Sequence, residues 1–302
     1  MQAEYSIAVV LINWNHAGDT IRCVDRLLQW KRLNPYVLVV DNASGPVDRE
    51  LLINTLTGKA ELLLNASNRG FAGASNRGIE RALEFDIDYV ALGNYDATFT
   101  EEAMICLLET LVRNPRIGAV GPLLREGEKI YAGGRDIARF LETRRPLARS
   151  GSPQQLTVVD YVPGTLILIR SSVFGQCGFL DEDYFFSGEV ADYCARIRAE
   201  GLKCAITRDA TVDHALEKST HRNDLYAYYS FRNRFLYVRK NYAGLKSVGL
   251  RFYWSLLTAL AIARAVLSAN RPQARALALA WREGLAGRWG NRNELFIREE
   301  KQ

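Results

Sequence analysis

The stretch Ala91-Leu92-Gly93-Asn94-Tyr95-Asp96-Ala97-Thr98 decides how the rest of the chain is read. Asp88-Tyr89-Val90-Ala91-Leu92, overlapping its start, is an apolar run of strand length. Thr100-Glu101-Glu102, just beyond it, reads as a helix start with Thr100 as N-cap and acids in the first turn. An amide and a carboxylate, Asn94 and Asp96, therefore sit where a buried strand spills into a loop. In open α/β sheets ligands bind at that edge. An Asp there can hold a divalent cation through oxygen, and the cation a diphosphate. Asn and Asp are also common in turns for backbone reasons alone, so the rest of the chain has to separate the two readings.

Working outward, the same unit recurs. Ser6–Ile12 is an uninterrupted β-rich run, as expected of a strand buried on both faces. Asp19 is read as the cap of a helix to about Gln29, with Ile21, Val24, Leu27 and Leu28 at helical spacing. Tyr36–Val40 is a second strand, Val47–Leu56 a helix, Ala60–Leu64 a third strand, Asn65–Gly73 a loop and Ala74–Phe85 a helix. Strand then helix at short spacing, with apolar rather than alternating strands, implies a parallel sheet covered on both faces. Beyond Pro115 the pattern loosens. Ile117–Pro122 is a short strand, 125–155 a polar insert, flexible or containing a hairpin, and Thr157–Tyr161 and Thr165–Ile169 are strands. Glu189–Glu200 is a helix ending at Gly201, and Cys204–Ile206 a strand leading to His214.

With 302 residues, 48% hydrophobic and 24% charged, the chain has ample core for one large domain with an appendage. Five scattered cysteines without a CxxC pair point to a reduced, cytoplasmic setting. The N-terminal apolar run has no basic segment before it and only strand length, unlike a signal peptide or a span. The net charge of +5 belongs to the tail. From Leu245 onward there are ten Lys/Arg and four Asp/Glu, leaving 29 and 30 for the first 244 residues (39 − 10 and 34 − 4). The main body is near neutral, and no nucleic-acid partner is expected.

Three strand ends carry polar groups that suit a nucleotide: Asp41-Asn42, the Asn68–Gly78 region, and Asn94/Asp96. Val9-Val10-Leu11-Ile12-Asn13-Trp14-Asn15, Val39-Val40-Asp41-Asn42-Ala43-Ser44, Asn68-Arg69-Gly70-Phe71-Ala72-Gly73-Ala74-Ser75-Asn76-Arg77-Gly78 and Asn94-Tyr95-Asp96, in this order and spacing, resemble a family 2 glycosyltransferase, nearest to its rhamnosyltransferase-like group. The resemblance runs on through Val162-Pro163-Gly164, Gly178–Phe185, Glu189–Cys194 and His214, about residues 6 to 240. It implies a GT-A fold, an α/β, mostly parallel central sheet flanked by helices. It also implies a dTDP- or UDP-linked nucleotide-sugar donor, a divalent metal (Mg²⁺ or Mn²⁺) and inversion at the anomeric carbon, in the service of cell-surface polysaccharide.

By the same resemblance Asp41 meets the nucleobase, Asn13, Asn68, Arg69, Asn76 and Asn94 line the nucleotide-sugar pocket, and Asp96 ligates metal. His214 meets the metal or the diphosphate, or is a structural histidine. The family's base lies in a Glu-Asp-x-Asp type motif, matched here by Glu189-Val190-Ala191-Asp192. Val190 cannot accept a proton. That leaves Glu189, the preferred base, or Asp192 one turn on, or an impaired enzyme. A catalytically silent sugar-nucleotide binder stays open on the strength of Val190. A nucleotidyltransferase is the other alternative, although Val10–Gly18 lacks its Gly-rich phosphate loop.

The expected division is 1–244 as catalytic domain, with a nucleotide-sugar half to about 115 and an acceptor half from 116, and 245–302 as a basic helical tail. Tyr-x-x-x-Arg-Asn-Arg, ending at Arg234, also recurs in the family. Phe252–Ala263 is an apolar run of twelve residues, too short to span a bilayer. With Arg264, Arg271, Arg275 and Arg282 nearby it suits an interfacial helix on anionic lipid, on the inner face of the cell membrane beside a glycan or lipid-linked acceptor. Packing on the catalytic domain, or a homodimer partner, is the alternative.

Overall fold

The computed structural model describes residues 5–147, 155–214 and 223–296. Its centre is one mixed sheet of eleven strands. Strands β1 (Ile7–Asn13), β2 (Tyr36–Asp41), β3 (Glu61–Leu64) and β4 (Tyr89–Gly93) form the parallel half, in the order β3-β2-β1-β4. Helices α1 (Ala17–Leu27), α2 (Pro46–Leu56) and α3 (Gly70–Leu83) are its crossovers. Val9 and Leu11 face one apolar layer, and Ala8 and Val10 the other. Burial on both faces is why β1, β2 and β4 read as unbroken apolar runs, whereas the edge strand β3 is only partly buried.

The short β5 (Ala97–Thr98) precedes α4 (Glu101–Arg113), where Thr100 accepts from the Ala103 N–H at 3.2 Å, the cap expected from the sequence. β6 (Ile117–Glu126), β10 (Leu166–Arg170) and β11 (Lys203–His214) extend the sheet. β10 runs antiparallel between β4 and β6, β11 lies parallel to β6, and the end of β11 pairs antiparallel with β5. The polar insert holds a hairpin, β7 (Lys129–Gly134) with β8 (Arg144–Pro146), while β9 (Leu156–Val159) adds to β11. Part of the insert lies outside the described residues. Helices α5 (Ser171–Cys177) and α6 (Glu189–Ala199) cover the sheet. The C-terminal helices α7 (Asn223–Asn241), α8 (Gly244–Leu267) and α9 (Arg271–Ala286) pack on one another.

Two local expectations are corrected. Asp19 does not cap α1. The helix starts at Ala17, whose N–H is taken by Asp48 Oδ1 of α2 at 2.9 Å, and Asp19 sits within the first turn. Helix α3 starts at Gly70, four residues before the expected Ala74, so the glycine-rich stretch is its first turn and not a loop. Gly70 has φ +70°, and a Cβ there would lie 2.1 Å from the Phe185 carbonyl oxygen. That oxygen accepts from the Phe71 N–H at 2.7 Å, so the helix start is tied to a loop more than a hundred residues away in sequence.

All five cysteines are free, with Cys23, Cys194 and Cys204 buried.

Candidate active site

A cavity of about 460 Å³ opens at the carboxyl ends of β1 and β4, where the strand order reverses. Such a switch point leaves a crevice between loops that turn to opposite faces. Ile12, Trp14 and His16 follow β1, Asn42 follows β2, Asn68 and Phe71 flank the start of α3, and Asn94 and Asp96 follow β4. Gly188, Glu189 and Val190 form another wall, with Tyr226, Tyr229 and Arg234 of α7 beyond. Among the described lining residues Asp96 and Glu189 are the only carboxylates.

The β5–β11 pairing sets His214 opposite Ala97 and so beside Asp96, with Nε2 to Oδ2 at 3.6 Å. The other ring nitrogen, Nδ1, lies 3.0 Å from Oε1 of the buried Glu126. With the proton on Nδ1 toward Glu126, Nε2 presents a lone pair toward the Asp96 carboxylate. Two electron-pair donors face to face require a cation between them, a proton or a metal ion. Asp96 Oδ1 is buried and has no hydrogen-bond partner among the described residues. The donor set of carboxylate and imidazole fits a divalent ion. No group of three or more metal-ligating side chains occurs among the described residues, so a bound ion would take its remaining ligands from water and substrate.

Glu189 opens α6 and is 7% exposed. Its Oε2 has no partner among the described residues. Burial pushes its carboxyl up to about 7, eased by a hydrogen bond from its own backbone N–H and raised further by Asp192. Asp192 is differently placed. Its Oδ1 accepts from Tyr184 Oη at 3.1 Å and Asn241 Nδ2 at 3.0 Å, its Oδ2 from Arg196 Nε at 3.0 Å, and it does not line the cavity. Val190, in the position of the missing acid, is 6% exposed and packs with Val162 and Tyr193 in the core.

Several expected pocket residues are turned to structural work. Asn13, fully buried, donates to Ser44 Oγ and Asp48 Oδ2 at 2.9 Å and accepts from Thr20 at 2.8 Å. Asp41, its register partner on β2, is fully buried and paired with Arg49 Nε at 2.8 Å. Arg69 reaches away to Glu182 at 2.9 Å, and Asn76 binds the Leu180 backbone through both amide ends. None of these four lines the cavity, while Asn68 and Asn94 do. Of the Asp41-Asn42 pair singled out in the sequence, the resemblance gives the role to Asp41, whereas it is Asn42 that reaches the cavity. It lines the cavity, donates to Asn68 Oδ1 at 3.0 Å and Gly70 O at 3.1 Å, and accepts from Asn65 and the Arg69 N–H at 3.0 Å. Its place directly after Asp41 was the available signal, because adjacent residues at a strand end face opposite ways.

The family model for glycosyl transferase family 2 matches residues 8–178. The chain is 25% identical over 237 residues to a low-salt glycan biosynthesis hexosyltransferase of Haloferax volcanii, covering 76% of this chain and 74% of that protein. It is 26% identical over 253 residues to an N-acetylglucosaminyl-diphospho-decaprenol L-rhamnosyltransferase of Mycobacterium tuberculosis, covering 75% of this chain and 81% of that protein. Among solved structures it resembles a Pyrobaculum calidifontis mannosyltransferase in complex with GDP-Man and Mn²⁺, with TM-score 0.60 and 14% identity over 94% of this chain and 88% of that one. The fold is GT-A.

Proposed function

This chain belongs to glycosyl transferase family 2 and is a glycosyltransferase of its rhamnosyltransferase-like group, and on that premise we propose a one-step inverting transfer from a dTDP- or UDP-linked sugar to a glycan or lipid-linked hydroxyl in cell-surface polysaccharide synthesis. One observation carries the proposal: the two lining carboxylates, Asp96 and Glu189, have opposite surroundings. Asp96 faces an imidazole and keeps an oxygen free for a cation. Glu189 is desolvated and poised near neutrality, where a general base works best. Glu189 takes the acceptor's proton as its oxygen attacks the anomeric carbon, and the electron pair of the sugar–phosphate bond leaves with the nucleoside diphosphate. Asp96 and His214 would hold a divalent ion, Mg²⁺ or Mn²⁺, and the ion would neutralise charge on the leaving diphosphate. Asn68 and Asn94 supply the polar contacts to the nucleotide-sugar, with Asn42 fixing the Asn68 amide through its oxygen.

A melting-temperature screen of dTDP-, UDP- and GDP-sugars with and without Mn²⁺ tests this. A ligand at 100 times its Kd stabilises by about 2.7 kcal/mol, a shift of several degrees. At least one donor is expected to raise Tm, and more so with Mn²⁺. No shift with any of them contradicts the proposal, and binding without hydrolysis or transfer favours a silent binder.

The C-terminal helices point to where the acceptor is met. α8, of 24 residues, is long and apolar enough to cross a bilayer, with a mean hydropathy of 1.4 over an 18-residue window, because the helix runs on through Arg251 and Arg264 beyond the twelve-residue run. Yet it is packed along one side, with Trp254 and Thr258 buried, which suits a helix lying on a surface. Leu245, Val248, Phe252, Leu256 and Leu260 form an exposed apolar stripe at helical spacing. Lys246 and Arg264 flank it on one side, Arg251 on the other, and α8 contains no acid. This is the pattern of an interfacial helix on anionic lipid, and we place the enzyme peripherally on the cytoplasmic face. Vesicles containing phosphatidylglycerol are expected to sediment the full chain in a salt-sensitive way, and Leu256→Glu/Leu260→Glu is expected to abolish it. If neither sediments, and the double change instead dissociates a dimer, the stripe is a self-association surface and the membrane reading falls.

A further inference from the structure

The Tyr-x-x-x-Arg-Asn-Arg motif, Tyr228 to Arg234 on α7, has no part in the chemistry above. We propose that Arg232 and Asn233 are positioning residues that hold the turn 185–188 in its left-handed form, so that Glu189 presents its carboxylate to the cavity. The proposal rests on Glu189 being the base. The turn is one the chain resists: Phe185 has φ +59°, Ser187 +70° and Gly188 +103°, and the first two carry side chains. It ends at the residue before Glu189, where the Gly188 carbonyl accepts from the Asp192 N–H at 2.9 Å, so its shape sets where α6 begins.

Both residues are buried, Arg232 at 0% and Asn233, at the cavity wall, at 1% exposure; the Asn233 amide donates to this loop, and Arg232 bridges it to the C-terminal segment, its Nη1 donating to the Gly290 carbonyl at 2.8 Å. Asn233 Nδ2 donates to the carbonyls of Tyr184 and Phe186 at 2.9 Å and of Ser187 at 2.6 Å. Arg232 Nη2 donates to those of Asp183 at 3.2 Å and Tyr184 at 3.1 Å. Its Nε donates to Asn233 Oδ1 at 2.9 Å. A guanidinium can only donate, so this contact fixes the amide's orientation and aims both of its N–H groups at the loop. Arg232 also has no carboxylate partner among the described residues. Carbonyl dipoles and the faces of Tyr228 and Tyr229, 5.4 and 4.7 Å away, surround its charge. An ion pair buried for stability alone would not look like this, whereas a rigid mould for one backbone shape would.

The test uses the full chain with the nucleotide-sugar that gives the largest melting shift. Asn233→Asp keeps the size and removes the donors. It is expected to lower kcat about 10²-fold, as a misplaced catalytic group does, while the donor KM stays within about threefold. Backbone amides of 184–190 are expected to exchange hydrogen faster. Adding Ser187→Gly, which adopts the left-handed form without opposition, is expected to recover about tenfold in kcat. Where Asn233→Asp does not fold, Arg232→Lys serves in its place. Unchanged kcat, lost kcat without faster exchange at 184–190, or no recovery on adding Ser187→Gly overturns the proposal. Should Glu189→Gln retain transfer, the base assignment falls, while the exchange and recovery experiments still decide whether these residues hold the turn.

Discussion

Glu189→Gln is expected to lower turnover by about 10²–10⁴-fold, the range of a lost general base, and at the same time to make the protein more stable at neutral and alkaline pH. The second half follows from burial. The Glu189 carboxyl is raised from 4.5 to about 7, so the folded state disfavours its ionised form. Stability is therefore undiminished below the ordinary carboxylate range, declines as pH rises from there through about 7, and then levels off. Glutamine does not ionise and escapes the decline. The shift corresponds to a gain on the order of 3 kcal/mol for the variant at about pH 8, shrinking toward zero near the ordinary carboxylate range. Thermal or urea unfolding at two pH values reads it. A variant no more stable at high pH, or one that keeps its turnover, removes Glu189 from the role.

Asp96→Asn is expected to cost about 10²–10³-fold in rate, comparable with loss of a preorganised charge-stabilising group, and to remove the Mn²⁺-dependent part of the donor-induced melting shift. The carboxylate faces His214 Nε2 at 3.6 Å with its second oxygen unpartnered, so an amide leaves the backbone alone and takes away the charge that attracts the cation. The amide can also donate to the imidazole, which stabilises the side chain pair without metal. The variant should therefore fold normally, and its defect should appear in metal titrations. Normal Mn²⁺ response in Asp96→Asn would mean that the cation, if any, is held elsewhere.

The parallel half of the fold was legible because β1, β2 and β4 are buried on both faces, so Ser6–Ile12 and Tyr36–Val40 read as strands at that length, while Ala60–Leu64 is the partly buried edge strand. The loop at Asn94–Asp96 and the helix after it were legible for the same reason, with Thr100 as a local cap. What was not legible depends on partners far away in the chain. Asp41 looked free until Arg49 and its register neighbour Asn13 closed around it. Arg69 is expected to line the nucleotide-sugar pocket, but it pairs with Glu182, 113 residues on. In both cases the neighbour, Asn42 or Asn68, faces the cavity instead, a one-residue shift that changes which way a side chain points. His214 and Asp96 come together only because β5, two residues long, pairs with the end of β11. No local pattern announces so short a strand. Position 190 is both core-packed and at the cavity wall, but valine carries no ionisable group, so among the described lining residues Glu189 is the acid that reaches the cavity from α6.

The central claim is a division of labour, with Asp96 at the leaving diphosphate and Glu189 at the acceptor hydroxyl. The pH dependence of kcat/KM tests it most directly, since it reports the free enzyme's essential base. With Mn²⁺ saturating, kcat/KM is predicted to rise about tenfold per pH unit below an inflection near the value for Glu189, about 7, and to be flat above it. A profile already flat at about pH 5.5, as an unperturbed or uninvolved carboxylate would give, would contradict the account.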